Sequence, residues 1–305
     1  MTKKVLVLGS LSTDEGEDAA LQQMSEFMSS ALDVAHHEIE VAFCHIDELG
    51  FVVHNDAALI YDFRNDAELS SYDMVFFRGK LRAAVNEVSL VSAYLQKIGI
   101  PALNTAYANR RAIGKVPQMF QLRDLGLPIP YTVSAATAYL PALIAKHLTY
   151  PVVVKDMHGS HGNDNYLVRS EENLKEILAA SPDIRFIAQQ FIPNDCDYRV
   201  LIIGSQELII KRQATGDSHL NNTSQGGSAV LVATADFPAE IIAESRRFAE
   251  SCHYELAGVD VIIDTESGAH YYLEINSQPQ IATGAFVPEK SRLVGEYFRD
   301  ILGLS

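Results

Sequence analysis

Short apolar runs bounded by turn residues alternate with amphipathic stretches over the first hundred residues, a pattern that predicts an open α/β unit. KKVLVLGS reads as a strand, Glu15 to Leu32 as a helix, and IEVAFCHI as a second strand. A segment read as a polar loop leads to DMVFFRG, a further strand. Val88, Val91, Leu95 and Ile98 then recur at helical spacing until Gly99 and Pro101 stop the pattern. The order β-α-β-β-α implies parallel pairing, and such sheets bind ligands beyond the carboxyl ends of their strands. That rule draws attention to Gly9-Ser10 and to Arg78-Gly79-Lys80. Arg78 and Lys80 are candidates for clamping a substrate carboxylate; ordinary exposed charge is the alternative. A first boundary is expected between Leu103-Asn104 and Tyr107.

The second half changes period. In GVDVIIDTESGAHYYLEINSQPQ, residues 258 to 280, two runs rich in β-branched and aromatic residues flank the turn residues Thr265 to Gly268. A hairpin centred on Ser267 sets Asp260 opposite Glu274, and alternation puts Glu274 and Asn276 on one face with Ile275 on the other. Two carboxylates and an amide oxygen form an oxygen-only set suited to magnesium that also holds phosphate. Two solvated acids on a half-exposed hairpin would give the same pattern. Upstream, PVVVK closes an apolar strand with Lys155, a point charge able to grip phosphate. The turn that follows, Gly159-Ser160-His161-Gly162, lets backbone amides approach an anion and could close as a lid. FIAQQFIPNDCDYRVLIIGSQELIIKRQATG, residues 186 to 216, reads as a strand and then a hairpin turning at Gly204-Ser205. Backbone edges from Gln189 to Ile192 could bond an adenine and Asp197 a ribose. Arg199 and Arg212 sit on apolar strands, where snorkelling at an edge is the bland alternative.

Composition narrows the class. At 305 residues and 48% hydrophobic the chain can bury a large core and exceeds one ordinary domain. Cys44, Cys196 and Cys252 are odd in number and scattered, which argues against a disulfide framework and for a reducing compartment. No apolar run reaches the roughly 20 residues of a membrane span, so no membrane partner is expected and the cytoplasm is the expected location. A formal net charge of -15 disfavours nucleic acid and anionic membranes while leaving room for a local cationic cleft. His158 and His161 lack a nearby third ligand for zinc and read as lid residues.

In this order the parts resemble the ATP-grasp superfamily, and within it the RimK-like carboxylate–amine ligases related to glutathione synthetase. The similarity runs from about residue 72 to 285. The resemblance implies an α/β ATP-grasp fold: an N-terminal open parallel domain over 1–105, a central subdomain with the lid over 106–188, and a C-terminal subdomain with the metal site over 189–305. It implies that Lys115 and Lys155 are the two ATP lysines, that HGSHGN is the lid, and that Gln189-Gln190-Phe191-Ile192 is the hinge reading adenine. Asp197 and Arg199 match the family's D-x-R. Arg212 matches an arginine near the transferring phosphoryl group, and Asn222 with Gly226-Gly227 matches an asparagine and double glycine. Asp260, Glu274 and Asn276 match the ligands of magnesium, two ions by family habit, with manganese as a substitute.

The implied reaction joins a small-molecule carboxylate to an amine acceptor, an amino acid, peptide or protein, through an acyl phosphate with release of ADP. Relatives are often dimers or tetramers, so a homo-oligomer is compatible with the resemblance, but the sequence does not set the oligomeric state. A synapsin-like regulator that binds ATP without ligation, and a small-molecule kinase on the same fold, are the competing readings. Three departures leave nucleotide binding in place but not substrate identity: Gln190 replaces the usual hinge glutamate, a mild change where the backbone reads adenine; Gln213-Ala214-Thr215 lacks the further basic residues expected there; and Asn276-Ser277-Gln278-Pro279-Gln280 differs from the family's N-A-S-P-G.

Overall fold

A computed structural model describes residues 2–11, 15–55, 57–79, 81–105, 114–157, 165–213 and 228–304. The N-terminal unit holds a parallel sheet in the order β2 (Ile39–His45), β1 (Lys3–Gly9), β6 (Met74–Phe77) and β7 (Ala102–Leu103). Strand β1 is apolar at every central position because both of its faces are covered. Val5 and Val7 pack with helix α1 (Glu15–Ala31), while Leu6 and Leu8 pack with α2 (Val85–Ile98).

The segment read as a polar loop is instead an antiparallel meander of β3 (Leu49–His54), β4 (Ala57–Asp62) and β5 (Ala67–Glu68). Its strands bury little: Phe51 is 40% exposed and Val53 79%. With apolar side chains left in solvent, the usual signature of one hydrophobic face against one polar face is missing.

The central unit is an antiparallel sheet ordered β10 (Asn165–Val168), β9 (Val152–Asp156), β11 (Phe186–Gln190), β8 (Thr132–Ser134), backed by α4 (Leu140–His147) and α5 (Glu171–Ala180). The C-terminal unit is a five-stranded antiparallel sheet ordered β14 (Ser228–Val232), β13 (Gln206–Gln213), β12 (Asp197–Ile203), β15 (Leu256–Ile263), β16 (His270–Asn276). Its apolar face packs on α3 (Lys115–Asp124) and α6 (Ala239–Cys252).

Packing cuts across the expected division of the sequence. Helix α3 comes from the central stretch, yet Met119 and Leu122 bury themselves against the C-terminal sheet. The last helix, α7 (Val287–Leu302), returns to the N-terminal sheet, where Phe298 stacks edge-on against Phe76. Asn104 bolts the units together. Its side chain donates to the carbonyls of Leu256 and Ser277 and accepts from the Leu256 amide. Buried at a backbone φ of 59°, it suits asparagine, which tolerates the left-handed region better than most residues. No described helix is long and apolar enough to cross a membrane.

Candidate active site

The hairpin register is the one that the turn residues demand. Asp260 pairs with Glu274 and Gly258 with Asn276. Beyond Asp260 the register shifts at a bulge, so that Val261 faces Tyr272 and Leu273 is the extra residue. The bulge resolves a conflict of phase. It allows Tyr272 to be fully buried in the core while Glu274, two residues on, stays half-exposed on the opposite face.

Across that face the strands set charge beside charge. Asp197 on β12 lies opposite Arg212 on β13, and Arg199 on β12 lies opposite Asp260 on β15. The Arg199 guanidinium donates to both Asp260 oxygens at 2.8 Å, a fork-on-carboxylate contact. Arg212 donates to Asp197 at 2.6 Å and its other nitrogen lies 3.2 Å from Asp260. Gly258 is where this arrangement needs a missing side chain: a Cβ there would stand 3.3 Å from the Arg199 side chain and 3.4 Å from Pro279. Burial drives the Asp260 carboxyl upward, but Arg199 and Arg212 overcome it and hold the group down at about 2. For Asp197 burial wins, against Arg212, and the carboxyl rises to about 6. The arginines are thus ion-paired within the sheet rather than snorkelling from its edge.

Lys115 is the first residue of α3, and what brings it here is Gln118 one turn on. The Gln118 side chain donates to the Ile275 carbonyl and accepts from the Ile275 amide, replacing a strand partner that edge strand β16 lacks. Held so, Lys115 reaches within 3.8 Å of Glu274. Lys155, on β9 of the facing sheet, lies within electrostatic reach of Glu274, Lys115, Asp260 and Asp197. Its ammonium is pushed below the usual lysine range, first by burial and then by Lys115, with Glu274 and Asp260 opposing. Two ammonium groups within electrostatic reach of one another repel, and the pair is suited to a polyphosphate.

The acidic side of the cleft suits the cation that accompanies phosphate. Glu274 accepts one bond from the Asn276 amide at 3.2 Å, leaving lone pairs on both its oxygens, and the Asn276 side-chain oxygen adds a neutral donor to these two. Asp260 has three of its lone-pair positions taken by arginine, so a metal would share it with Arg199 and Arg212. Among the described residues no cluster of three His, Cys, Asp or Glu exists, so the set depends on Asn276 to complete it.

Other expected site residues fall elsewhere. Gln189 is buried inside the central sheet between β9 and β8, its side chain donating to Thr132, and the Gln190 amide donates to the Tyr131 carbonyl. An open backbone edge therefore cannot begin at Gln189; it starts at Phe191, with the Ile192 carbonyl already accepting from Asn194. Asp197 points its carboxylate at Arg212 rather than outward. Arg78 is not ordinary exposed charge but a buried residue, 8% accessible, lying over Phe76 and donating to the Pro279 carbonyl. It lines a cavity of about 200 Å³ at the carboxyl ends of β1, β2 and β6, with Gly9, Ser10, His45 and Gln278. One Arg78 nitrogen and the Gln278 side-chain oxygen are both buried without a partner. Lys80, His158, Gly159, Ser160, His161, Gly162, Asn222, Gly226 and Gly227 lie outside the described residues.

Comparison with known proteins agrees with this architecture. A family model of the RimK-like ATP-grasp domain matches residues 124–286. The chain belongs to the RimK-like ATP-grasp family. Within it, a tetrahydromethanopterin:alpha-L-glutamate ligase of Methanosarcina acetivorans is 30% identical over 212 residues, 64% of this chain and 64% of that protein. A probable alpha-L-glutamate ligase of Psychromonas ingrahamii is 28% identical over 195 residues, 62% of this chain and 63% of that one. The chain therefore spans less than two thirds of the length of these curated relatives. A solved Chryseobacterium gregarium RiPP-associated ATP-grasp ligase, in complex with ADP and a leader and core peptide, matches with a TM-score of 0.66 at 15% identity, over 100% of this chain and 98% of that one. The ATP-grasp ligase PsnB, complexed with a phosphomimetic precursor variant, Mg and ADP, matches with a TM-score of 0.66 at 17% identity, over 99% of each chain. At such identities the likeness carries the fold, which is ATP-grasp.

Proposed function

We propose that this protein is an ATP-dependent carboxylate–amine ligase that activates a carboxylate as an acyl phosphate and passes it to an amine, forming an amide with release of ADP and phosphate. The observation that carries this reading is Lys115 standing 3.8 Å from Glu274 with Lys155 within electrostatic reach of both, three side chains from three different elements. Phosphoryl transfer needs positioning and neutralised charge more than covalent help. Lys115 and Lys155 bind and neutralise phosphate oxygens. Asp260, Glu274 and Asn276 would hold magnesium, which when bound offsets charge on the triphosphate. Arg212, its geometry fixed by Asp197 and Asp260, supplies a cation beside the transferred group and the tetrahedral centre that follows. Arg78, with an unused donor in its cavity, anchors a substrate carboxylate from the N-terminal side. The glutamate ligases among the relatives favour an amino acid such as glutamate as one substrate.

An ADP-release screen that pairs amino acids with amine acceptors, followed by mass determination of the conjugate, tests the reading. ADP release that requires both partners, with a product heavier by one amino acid, is the expected result. Tight ATP binding with no turnover across the panel would make the protein a regulator. Turnover with an alcohol, and no hydroxamate on trapping with hydroxylamine, would make it a kinase.

A further inference from the structure

Beside the Arg199–Asp260 pair lies a small hollow walled by Arg199, Arg212, Pro279, Gln280, Gly284 and Lys290. Lys290 is 3% exposed, and its ammonium donates to the Thr283 carbonyl at 3.0 Å with no carboxylate partner among the described residues. It sits in the first turn of α7, where the helix dipole already presents positive charge, and it shares the hollow with two arginines. Each of these placements works against a lysine. Burial, and then Arg199, lower its ammonium to about 8. Around the hollow three cations, Arg199, Arg212 and Lys290, meet two ion-paired carboxylates, Asp197 and Asp260, while Glu289, next to Lys290 on α7, acts on it only through its field, so Lys290 has no direct counter-ion among the described residues. A buried charge without a partner is among the costliest features a fold can carry, so its complement is to be sought in a ligand. The free space of about 30 Å³ accommodates a group of two or three heavy atoms. Lys290 comes from α7, an element that supplies none of the phosphate or metal residues.

We propose that this hollow is the receptor for a spectator carboxylate, one that the substrate carries besides the groups that react, and that the substrate entering here is an acidic amino acid. The substrate class rests on the ligase reading above; the receptor itself does not. Arg212 faces both the hollow and Asp260, so a substrate gripped by Lys290 is held against the same guanidinium that serves the reacting group.

Calorimetric titration of the whole chain with L-glutamate, and with L-glutamine as its neutral isostere, in the presence of magnesium and a non-hydrolysable ATP analogue, tests the proposal. Glutamate is expected to bind about tenfold tighter or more, the effect of one charge-assisted contact. Lys290→Gln, which keeps a donor for Thr283, should reduce the preference to twofold or less, while Lys290→Arg should restore it; thermal melts of both variants check that they fold. Equal affinities in the unaltered protein, no binding of either amino acid, or a preference that survives Lys290→Gln would overturn it. The same preparations, assayed for ADP release, separate the two readings. Ligation without any preference for an acidic substrate removes the receptor and leaves the ligase, whereas a Lys290-dependent preference without ADP release does the reverse.

Discussion

Two pairs of cations, all buried except the partly exposed Arg199, are treated oppositely. Arg199 and Arg212, in the middle of the C-terminal sheet, each meet a carboxylate directly across the strand, and both are charge-balanced before any ligand arrives. Arg78, at the end of the parallel sheet, and Lys290, at the start of α7, are buried yet have only backbone carbonyls as hydrogen-bond partners. The paired arginines build a rigid floor. The unpaired cations hold unspent electrostatic attraction, which an anionic substrate can satisfy.

The largest effect is expected at the acidic edge of the floor. Glu274→Ala should reduce magnesium-dependent turnover by about a thousandfold, the loss of several kcal/mol of charge stabilisation. Its circular dichroism and melting point should stay nearly unchanged, because Glu274 is half-exposed; near-normal turnover would remove it from the site. Arg212→Ala should lower both properties. Leaving Asp197 and Asp260 short of a partner should cost about 3 to 5 kcal/mol in denaturant unfolding, and turnover should fall more than ATP affinity. An equal loss of ATP binding would reassign Arg212 to the ground state.

The rim should behave differently. Arg78→Met removes a charge that has no counter-ion, so the melting temperature should hold or rise while KM for one substrate increases about tenfold, a charged hydrogen bond's worth. A marked loss of stability with unchanged KM would make Arg78 structural. The smallest effect is one of pH. Lys290 falls from an ordinary 10.5 to about 8 on folding. Between those values the unfolded chain binds the extra proton, so this residue makes stability rise with pH through that window. Denaturant titrations from pH 7.5 to 10 should show that rise in the unaltered protein and lose it in Lys290→Gln; parallel curves would refute the buried charge.

Much of the floor was legible from local sequence, and little of the rim. The turn from Thr265 to Gly268 set the register that places Asp260 opposite Glu274, and Gly204-Ser205 set that of the neighbouring hairpin, since a short loop leaves few pairings open. The parallel strands declared themselves by unbroken apolar runs. The meander did not, because Phe51, Val52 and Val53, consecutive along β3 and so on both of its faces, are all exposed. Gln118, Asn104 and Lys290 carry little local signal, because a polar residue that bridges two distant backbones looks like any other in the chain; the asparagine at the first boundary and the lysine in the opening turn of a helix are the only hints. That Gln189 is paired on both sides is not legible locally, because edge and interior strands differ only in their neighbours.

The amino-acid sequence by itself determined which strands pair locally, which faces carry charge, and the ordered motifs that resemble an ATP-grasp ligase, because each of these follows from side-chain period and turn chemistry over a few residues. Only the tertiary structure decided that α3 delivers Lys115 to Glu274, that Arg199 and Arg212 are neutralised while Arg78 and Lys290 are not, and that α7 closes the N-terminal core. Those outcomes depend on which groups lose their water together, and desolvation is a property of the assembled fold rather than of any segment.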